Sequence, residues 1–369
     1  MAEKVKKRGE TMNPIRMLLL PILYRRGGSQ QINCYKYMKK AQWNPLTDNI
    51  SVQKKLLYET LKHAFTNIPY YRGMNIDIDR FSEGTIFEDI KRIPFLTKKE
   101  LKQDYEHLCY KMPGTKGVYQ NVTGGSTGEA VRLLQDKYYF DWMRGSKILY
   151  DDWAGRKLGE YQLVLWGSER DLFYGKSMLS NLADWGRNEK KLNAFKASKA
   201  SLENFIKEIN KRKPEMILSY VESAYDLAKF IKSRNYNVCS PGSIMTSAGT
   251  LYREFRELIE EAFHCPVFDR YGSREAGDMA CECERHEGLH LNIFNHYLEV
   301  VDKNGEPCRP GEEGEIVITT LRNFTMPLIR YKIEDLGVYS QNSCSCGRGL
   351  PMLERVTGRT TDVFQNKKG

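Results

Sequence analysis

Apolar positions along the chain change period twice. Over the first hundred residues they recur at helical spacing: Val52, Leu56, Leu57, Leu61, Ala64 and Phe65 mark one face of a helix that Pro69 ends. Thr97 and Glu100 form the spacing of a capping box, in which hydroxyl and carboxylate satisfy free N–H groups at a helix start. From about residue 160, short apolar runs alternate with helical stretches. Gln162–Trp166, Met216–Tyr220, Ile244–Ser247 and Val267–Tyr271 read as strands, while Ser201–Arg212, Glu222–Ser233 and Tyr252–Phe263 read as helices. Short buried strands joined by helices predict an α/β body with a mainly parallel, helix-covered sheet. Beyond about residue 288 the helical signal ends. Tyr297–Val301, Glu315–Thr320 and Met326–Tyr331, with a turn at Lys303–Gly305, predict a compact β unit of hairpin-connected strands.

Charge sharpens this division. The 369 residues carry a net charge of +10, yet residues 1–40 hold ten Lys/Arg and two acids, eight of those ten positive charges. The body is close to neutral, which argues against a nucleic-acid binder, whose basic stripe lies on the folded domain. Met17–Tyr24 is apolar but eight residues long, contains Pro21 and is followed by Arg25 and Arg26. That is far short of the roughly 20 residues of a spanning helix. A basic, partly frayed terminus packed onto the body is the favoured reading; peripheral contact with an anionic membrane or a partner is the other. Nine cysteines without a secretory signal point to a reducing, cytoplasmic setting, so their spacing is read for metal before disulfides.

The strongest chemical signal is Thr123-Gly124-Gly125-Ser126-Thr127-Gly128 after the strand-like Val118–Val122. Glycines let backbone approach an anion, and hydroxyls add donors for phosphate oxygens. A flexible surface turn fits the same composition equally well. No Walker A spacing exists. Next, Tyr271-Gly272-Ser273-Arg274-Glu275 ends a predicted strand, the place where open α/β sheets bind ligands. Tyr271 can stack on a base there and Glu275 can hold a magnesium that bridges phosphates, although taken alone the motif reads rather as a loop tyrosine and a solvated glutamate.

The order of these and further motifs carries a resemblance. T-G-G-S-T-G at 123–128 is followed by L-W-G-S-E-R-D at 165–171, S-A-G at 247–249, Y-G-S-R-E at 271–275 and G-L-H at 288–290. Then come G-E-E-G-E-I-V at 311–317, M-P-L-I-R-Y at 326–331, Asp335, C-S-C-G-R at 344–348 and G-R-T-T-D at 358–362. From about residue 50 onward the chain resembles adenylate-forming enzymes of the phenylacetate–CoA ligase branch, and within it the CapK-like (coenzyme F390 synthetase-like) proteins linked to surface-polysaccharide loci. The resemblance implies residues 1–50 as a basic segment, 51–357 as the family's large domain with a β-rich, barrel-like part from about 288, and 358–369 as a hinge. It also implies site roles. Thr123, Ser126 and Thr127 with the loop N–H groups, including those of Gly124, Gly125 and Gly128, would hold the β- and γ-phosphates of ATP. Ser247, Ala248 and Gly249 would line the adenine, with Tyr271, Gly272 and Ser273 beside it. Glu275 would bind Mg²⁺, Asp335 would accept the ribose hydroxyls, Arg359 would sit near ribose and phosphate, and Asp362 would be the hinge of the family's C-terminal lid. Three positions depart from the family pattern: Ala130 where proline is usual, Thr250 where glutamate is common, and Glu334 where glycine usually precedes the ribose-binding aspartate. The chain stops about seven residues past Asp362, so the lid is expected to be missing.

The cysteines suggest a second site. Cys283-x-x-His286 and Cys344-x-Cys346 offer three thiolates and an imidazole, a set suited to tetrahedral structural zinc. Cys281 is an alternative to Cys283, and buried free thiols without metal are the competing reading. The remaining cysteines read as packing residues. Trp166-Gly167-Ser168 and Phe173-Tyr174-Gly175 are expected near the pocket for the acid, whose aromatic walls suit a flat or aryl group, although aromatic residues at a strand end are more often simply core.

The resulting expectation is an acid–thiol ligase. A small carboxylic acid and ATP give acyl-adenylate (bound acyl-AMP) and pyrophosphate, then a thioester with CoA or a carrier thiol. The alternative from a different class is a lid-less, catalytically silent nucleotide-binding or scaffold protein of a surface-polysaccharide pathway.

Overall fold

The computed structural model describes residues 14–111, 114–122, 131–167, 185–194 and 198–359. The N-terminal part is helical: α1 (Pro14–Arg26), α2 (Gln31–Ala41), α3 (Leu46–Asn67), and the short α4 (Pro69–Arg72), α5 (Ile86–Asp89) and α6 (Lys98–Gln103). The capping box forms: Thr97 Oγ1 accepts from Glu100 N, and Glu100 Oε2 accepts from Thr97 N at 2.7 Å. In α3 the side chains of Leu57, Leu61, Ala64 and Phe65 are buried, as their spacing predicts, while Val52 and Leu56 pack at the margin of the core.

A hairpin of β1 (Val118–Val122) and β2 (Arg132–Asp136) leads into α7 (Lys137–Trp153), which Asp136 caps by accepting from Tyr139 N at 2.8 Å. The body then alternates: β3 (Gln162–Leu165), β4 (Glu189–Leu192), α8 (Lys199–Arg212), β5 (Met216–Tyr220), α9 (Val221–Arg234), β6 (Ser243–Ser247), α10 (Arg253–Phe263) and β7 (Val267–Ser273). These five strands pair in parallel in the order β7-β6-β5-β3-β4.

Side chains alternate between the two faces, as strand geometry requires. Leu163, Ile217, Ile244 and Val267 meet Phe205 of α8, Leu227 and Ile231 of α9, and Ile259 and Phe263 of α10. Val164, Met216, Leu218, Met245 and Phe268 face the other way, into a core shared with α2, α3 and α7. Both faces of the parallel portion are therefore covered.

The β-rich region continues the same sheet. Strands β8 (Gly277–Glu282), β9 (Leu289–Leu291), β10 (His296–Val301), β11 (Glu313–Thr320), β12 (Tyr331–Tyr339) and β13 (Met352–Arg359) add antiparallel neighbours in the order β10-β11-β12-β13-β9-β8, and β8 joins β7. Among the described residues, a long sheet of eleven strands thus spans what the pattern divides into two units.

One expected strand fails. Met326–Arg330 is irregular, and β12 begins only at Tyr331. Arg330 has φ +49°, which breaks an extended run, and the apolar segment is tied down by Thr319 and Thr320 hydroxyls accepting from Arg330 N and Leu328 N, each at 3.0 Å. Its guanidinium forms a buried pair with Glu299, at 3.0 Å to Oε1 and 3.2 Å to Oε2.

Candidate functional site

The parallel strands end together. Trp166 follows β3, Tyr220 ends β5, Ser247 ends β6, and Tyr271 to Ser273 end β7. Such carboxyl ends are where open α/β sheets bind ligands. Trp166 and Tyr220 stack, with centroids 4.2 Å apart and planes 24° apart. Sequence reading names Trp166 and misses Tyr220, whose position as the last residue of its strand is the available signal. After Ser247 the chain turns sharply. Ala248 has φ +57°, and a Cβ on Gly249 would lie 2.7 Å from Glu222 Oε1, so the turn closes against the Glu222 carboxylate at the start of α9.

Tyr271 is almost fully buried, and its hydroxyl donates to Asp335 Oδ2 at 2.8 Å. Arg359, the cross-strand partner of Asp335 between β12 and β13, places Nε 3.7 Å from Oδ1. The structure therefore brings two sequence-predicted residues, Tyr271 and Arg359, onto the carboxylate of a third, Asp335, which lies 64 positions from Tyr271. Burial pushes Asp335 up to about 6 from 3.8; the Tyr271 hydroxyl and Arg359 pull it down, while Glu275 and Glu334 push it further up. Burial likewise drives the Tyr271 hydroxyl well above its ordinary value, so it remains a donor. Glu334 has φ +67°. This left-handed residue inside β12, just before the aspartate, is a conformation that glycine adopts without strain, and this chain holds it with a glutamate.

Glu275 is half-buried in the turn between β7 and β8, close enough that its charge acts on Tyr271, Tyr331 and Asp335. That turn is built tightly: Ser273 Oγ accepts from Ala276 N at 3.1 Å, and a Cβ on Gly272 would lie 2.7 Å from the Gly277 carbonyl. Two reciprocal bonds lock it to β1. Asn121 Nδ2 donates to the Arg274 carbonyl at 2.9 Å, and Arg274 Nη1 donates to the Val122 carbonyl at 3.1 Å. Val122 immediately precedes Thr123. Residues Thr123, Gly124, Gly125, Ser126, Thr127 and Gly128 lie outside the described residues, as do Ser168, Phe173, Tyr174, Gly175 and the hinge residue Asp362.

The second cluster forms between β8, β9 and the 344–348 loop. Ligand atoms of Cys283, His290, Cys344 and Cys346 all lie within 4.8 Å of one another. Sulfurs of Cys283 and Cys344 are 3.6 Å apart, and Cys346 Sγ is 3.4 Å from His290 Nε2. Zinc bonds of about 2.3 Å to sulfur and about 2.0 Å to nitrogen at tetrahedral angles give separations of about 3.8 and about 3.6 Å, so the donor set fits the ion. Backbone N–H groups point at each sulfur: Arg285 N to Cys283 at 3.5 Å, Cys346 N to Cys344 at 3.5 Å and Arg348 N to Cys346 at 3.3 Å. Such bonds favour thiolates. Burial lowers His290 to about 4, leaving a neutral imidazole as metal ligation requires.

The imidazole in this cluster is His290, which corrects the expectation of His286. His286 sits in a left-handed turn at φ +54°, with its ring against Phe268 and Nδ1 3.1 Å from Glu282 Oε2. His290 is instead in β9, beside the strand that leads into Cys283. The alternative thiol Cys281 is fully buried in the main core and is not among the four.

No model of a known protein family matches the chain. Individual proteins do. The chain is 25% identical to protein CapK of Staphylococcus aureus over 357 residues, 92% of this chain and 74% of that protein. It is 25% identical over 332 residues to phenylacetate-coenzyme A ligase of Escherichia coli strain K12, 85% of this chain and 72% of the ligase. Its fold superposes on 2-hydroxyisobutyryl-CoA ligase, solved in an open conformation with 2-HIB-AMP and CoA, with TM-score 0.71 and 18% identity over 89% of this chain and 79% of that one. With the motif order, the strand-end site and this fold in agreement, the chain is similar to the adenylate-forming enzymes of the phenylacetate–CoA ligase and CapK-like branch.

Proposed function

We propose that the chain activates a small carboxylic acid with ATP and passes the acyl group to a thiol, CoA or a carrier. The observation that supports this most directly is the Tyr271–Asp335–Arg359 arrangement at the end of β7, with Arg274 of the same turn bonded to the residue before Thr123. A carboxylate oxygen of the acid attacks the α-phosphorus of ATP, and pyrophosphate leaves with the electrons of the broken bond. The thiol then attacks the acyl carbon, and AMP leaves. Attack of an anion on a phosphate needs positioning and neutralised charge more than covalent help.

The residues take the following parts. Asp335, ionised above about pH 6, accepts the ribose hydroxyls and is aimed by the Tyr271 hydroxyl. Arg359 offsets charge near the ribose and phosphate, and Glu275 holds the Mg²⁺ that travels with ATP. Ser247, Ala248 and Gly249 form the adenine wall, with Tyr271, Gly272 and Ser273 beside it. Thr123, Ser126, Thr127 and the intervening glycines bind the outer phosphates. The stacked Trp166 and Tyr220 form an aromatic wall for the acid. Cys283, His290, Cys344 and Cys346 hold a structural zinc, which would join the turn after β8 to the loop before β13 and leave no ligand position open for catalysis.

ATP–pyrophosphate exchange against a panel of aryl and aliphatic acids tests the proposal, with Glu275→Ala as control. At least one acid should support exchange that the variant loses. Absence of exchange with every acid, together with no measurable ATP binding, refutes it.

A further inference from the structure

Helix α1 is apolar on two opposite sides, and among the described residues only one of them is packed. Leu20 and Tyr24, one turn apart, are 0% and 8% exposed. Leu20 packs on Gly186, where an added Cβ would come within 2.6 Å of its Cδ2, and Arg16 lies over the Trp185 ring at 4.7 Å. These contacts dock the helix on the body. On the other side, Leu18, Leu19 and Ile22 are 70%, 40% and 48% exposed. Positions i and i+4 or i+7 share a helix face, so Arg26 stands beside Ile22, and Arg25 and Arg26 lie two turns beyond Leu18 and Leu19. Both arginines are exposed. From residue 11 through 47 the chain holds Lys and Arg but no Asp or Glu. Within that stretch Lys36 and Lys40 of α2 are exposed as well, while Lys39 is paired with Asp152 at 2.8 Å.

From this pairing we infer that the outer face of α1 binds the surface of an anionic lipid bilayer, Leu18, Leu19 and Ile22 entering the acyl boundary while Arg25 and Arg26 meet the headgroups. No described helix is long and apolar enough to cross a membrane, and this one would lie in the interface plane. The charge selects the occupant. An acid-free basic stretch complements anionic headgroups, and an apolar face with two arginines at its end gains from both bilayer layers at once. A single-stranded nucleic acid would use the charge but would need aromatic platforms that Leu18, Leu19 and Ile22 do not provide. The inference stands apart from the adenylation chemistry and does not depend on it.

Co-sedimentation with phosphatidylcholine vesicles, with and without phosphatidylserine, tests it on the full chain. Binding should appear with phosphatidylserine and weaken as salt rises. Leu18→Ser with Ile22→Ser should reduce the partition at least tenfold, and Arg25→Gln with Arg26→Gln roughly fivefold per arginine. Lys207→Gln with Lys211→Gln, which removes the same charge from exposed positions of α8, should leave it unchanged. All substituted positions are exposed, and unchanged thermal midpoints will show that the fold is kept. The inference is overturned if anionic vesicles are not bound, or if the α8 variant loses as much binding as the arginine variant. It is also overturned if the face instead joins two copies, seen as a dimer that Leu18→Ser with Ile22→Ser converts to monomer.

Discussion

Replacing Tyr271 by Phe removes one hydrogen bond and keeps the ring. The bond is the 2.8 Å donation from the hydroxyl to Asp335 Oδ2, which helps hold that carboxylate in its ionised form against burial. A hydrogen bond to a charged group contributes about 1.5–3 kcal/mol, and one pKa unit corresponds to about 1.4 kcal/mol. Losing it should lift Asp335 from about 6 by roughly one to two units. If only the ionised carboxylate accepts the ribose hydroxyls, the apparent KM for ATP rises as pH falls through the pKa of Asp335. With a one-unit lift, Tyr271→Phe should raise KM about fivefold at pH 6 and hardly at all at pH 8. The assay is ATP–pyrophosphate exchange with ATP varied at a series of pH values, fitted for the midpoint of the KM profile. A midpoint near pH 6 in the parent that moves upward in the variant supports the reasoning. An unmoved midpoint, or a loss of the same size at every pH, refutes it, because it would assign Tyr271 a packing role alone.

Two further predictions rest on other groups. Chains purified without added metal should carry about one zinc per molecule; Cys344→Ser and His290→Ala should lose it and His286→Ala should keep it, as elemental analysis will show, whereas a folded, zinc-free parent would contradict the site. Asp269 is raised from 3.8 to about 7 by burial and by the neighbouring charge of Glu282. Between those values the folded chain holds a proton that the unfolded chain releases, so this group makes stability fall as pH rises across the window, at up to about 1.4 kcal/mol per pH unit. Asp269→Asn should flatten that slope in denaturant titrations from pH 4 to 8, and an unchanged slope would show that Asp269 is not its source.

Elements with strong periodicity are legible in the amino-acid pattern alone. Met216–Tyr220 forms a strand with the expected bounds, and the helices of the α/β body differ from expectation by one or two residues at their ends. Less legible is whatever depends on contacts distant in sequence. Nothing in Met326–Arg330 reveals that hydroxyls of Thr319 and Thr320 replace a strand ladder there. Nor does local pattern show that β8 pairs with β7 and so joins the antiparallel region to the parallel sheet.

The metal cluster shows the same limit. A C-x-x-H spacing favours His286, but a left-handed turn aims it at Glu282, and β9 carries His290 to the thiols. The G-L-H motif at 288–290 contains the histidine that reaches them. The Asp335 cluster is readable only through family resemblance, since 64 residues separate Asp335 from Tyr271.

The central claim is that an acid oxygen becomes bonded to the α-phosphorus of ATP. Isotope transfer reads that bond directly. The chain is incubated with ATP, Mg²⁺, a thiol acceptor and an acid from the active panel whose carboxylate oxygens are ¹⁸O, and the nucleotide products are weighed by mass spectrometry. Attack at the α-phosphorus followed by thiol attack on the acyl carbon predicts AMP carrying one labelled oxygen, with unlabelled pyrophosphate. Label in phosphate alongside ADP, or AMP without label, would contradict the adenylate and with it this account of the site.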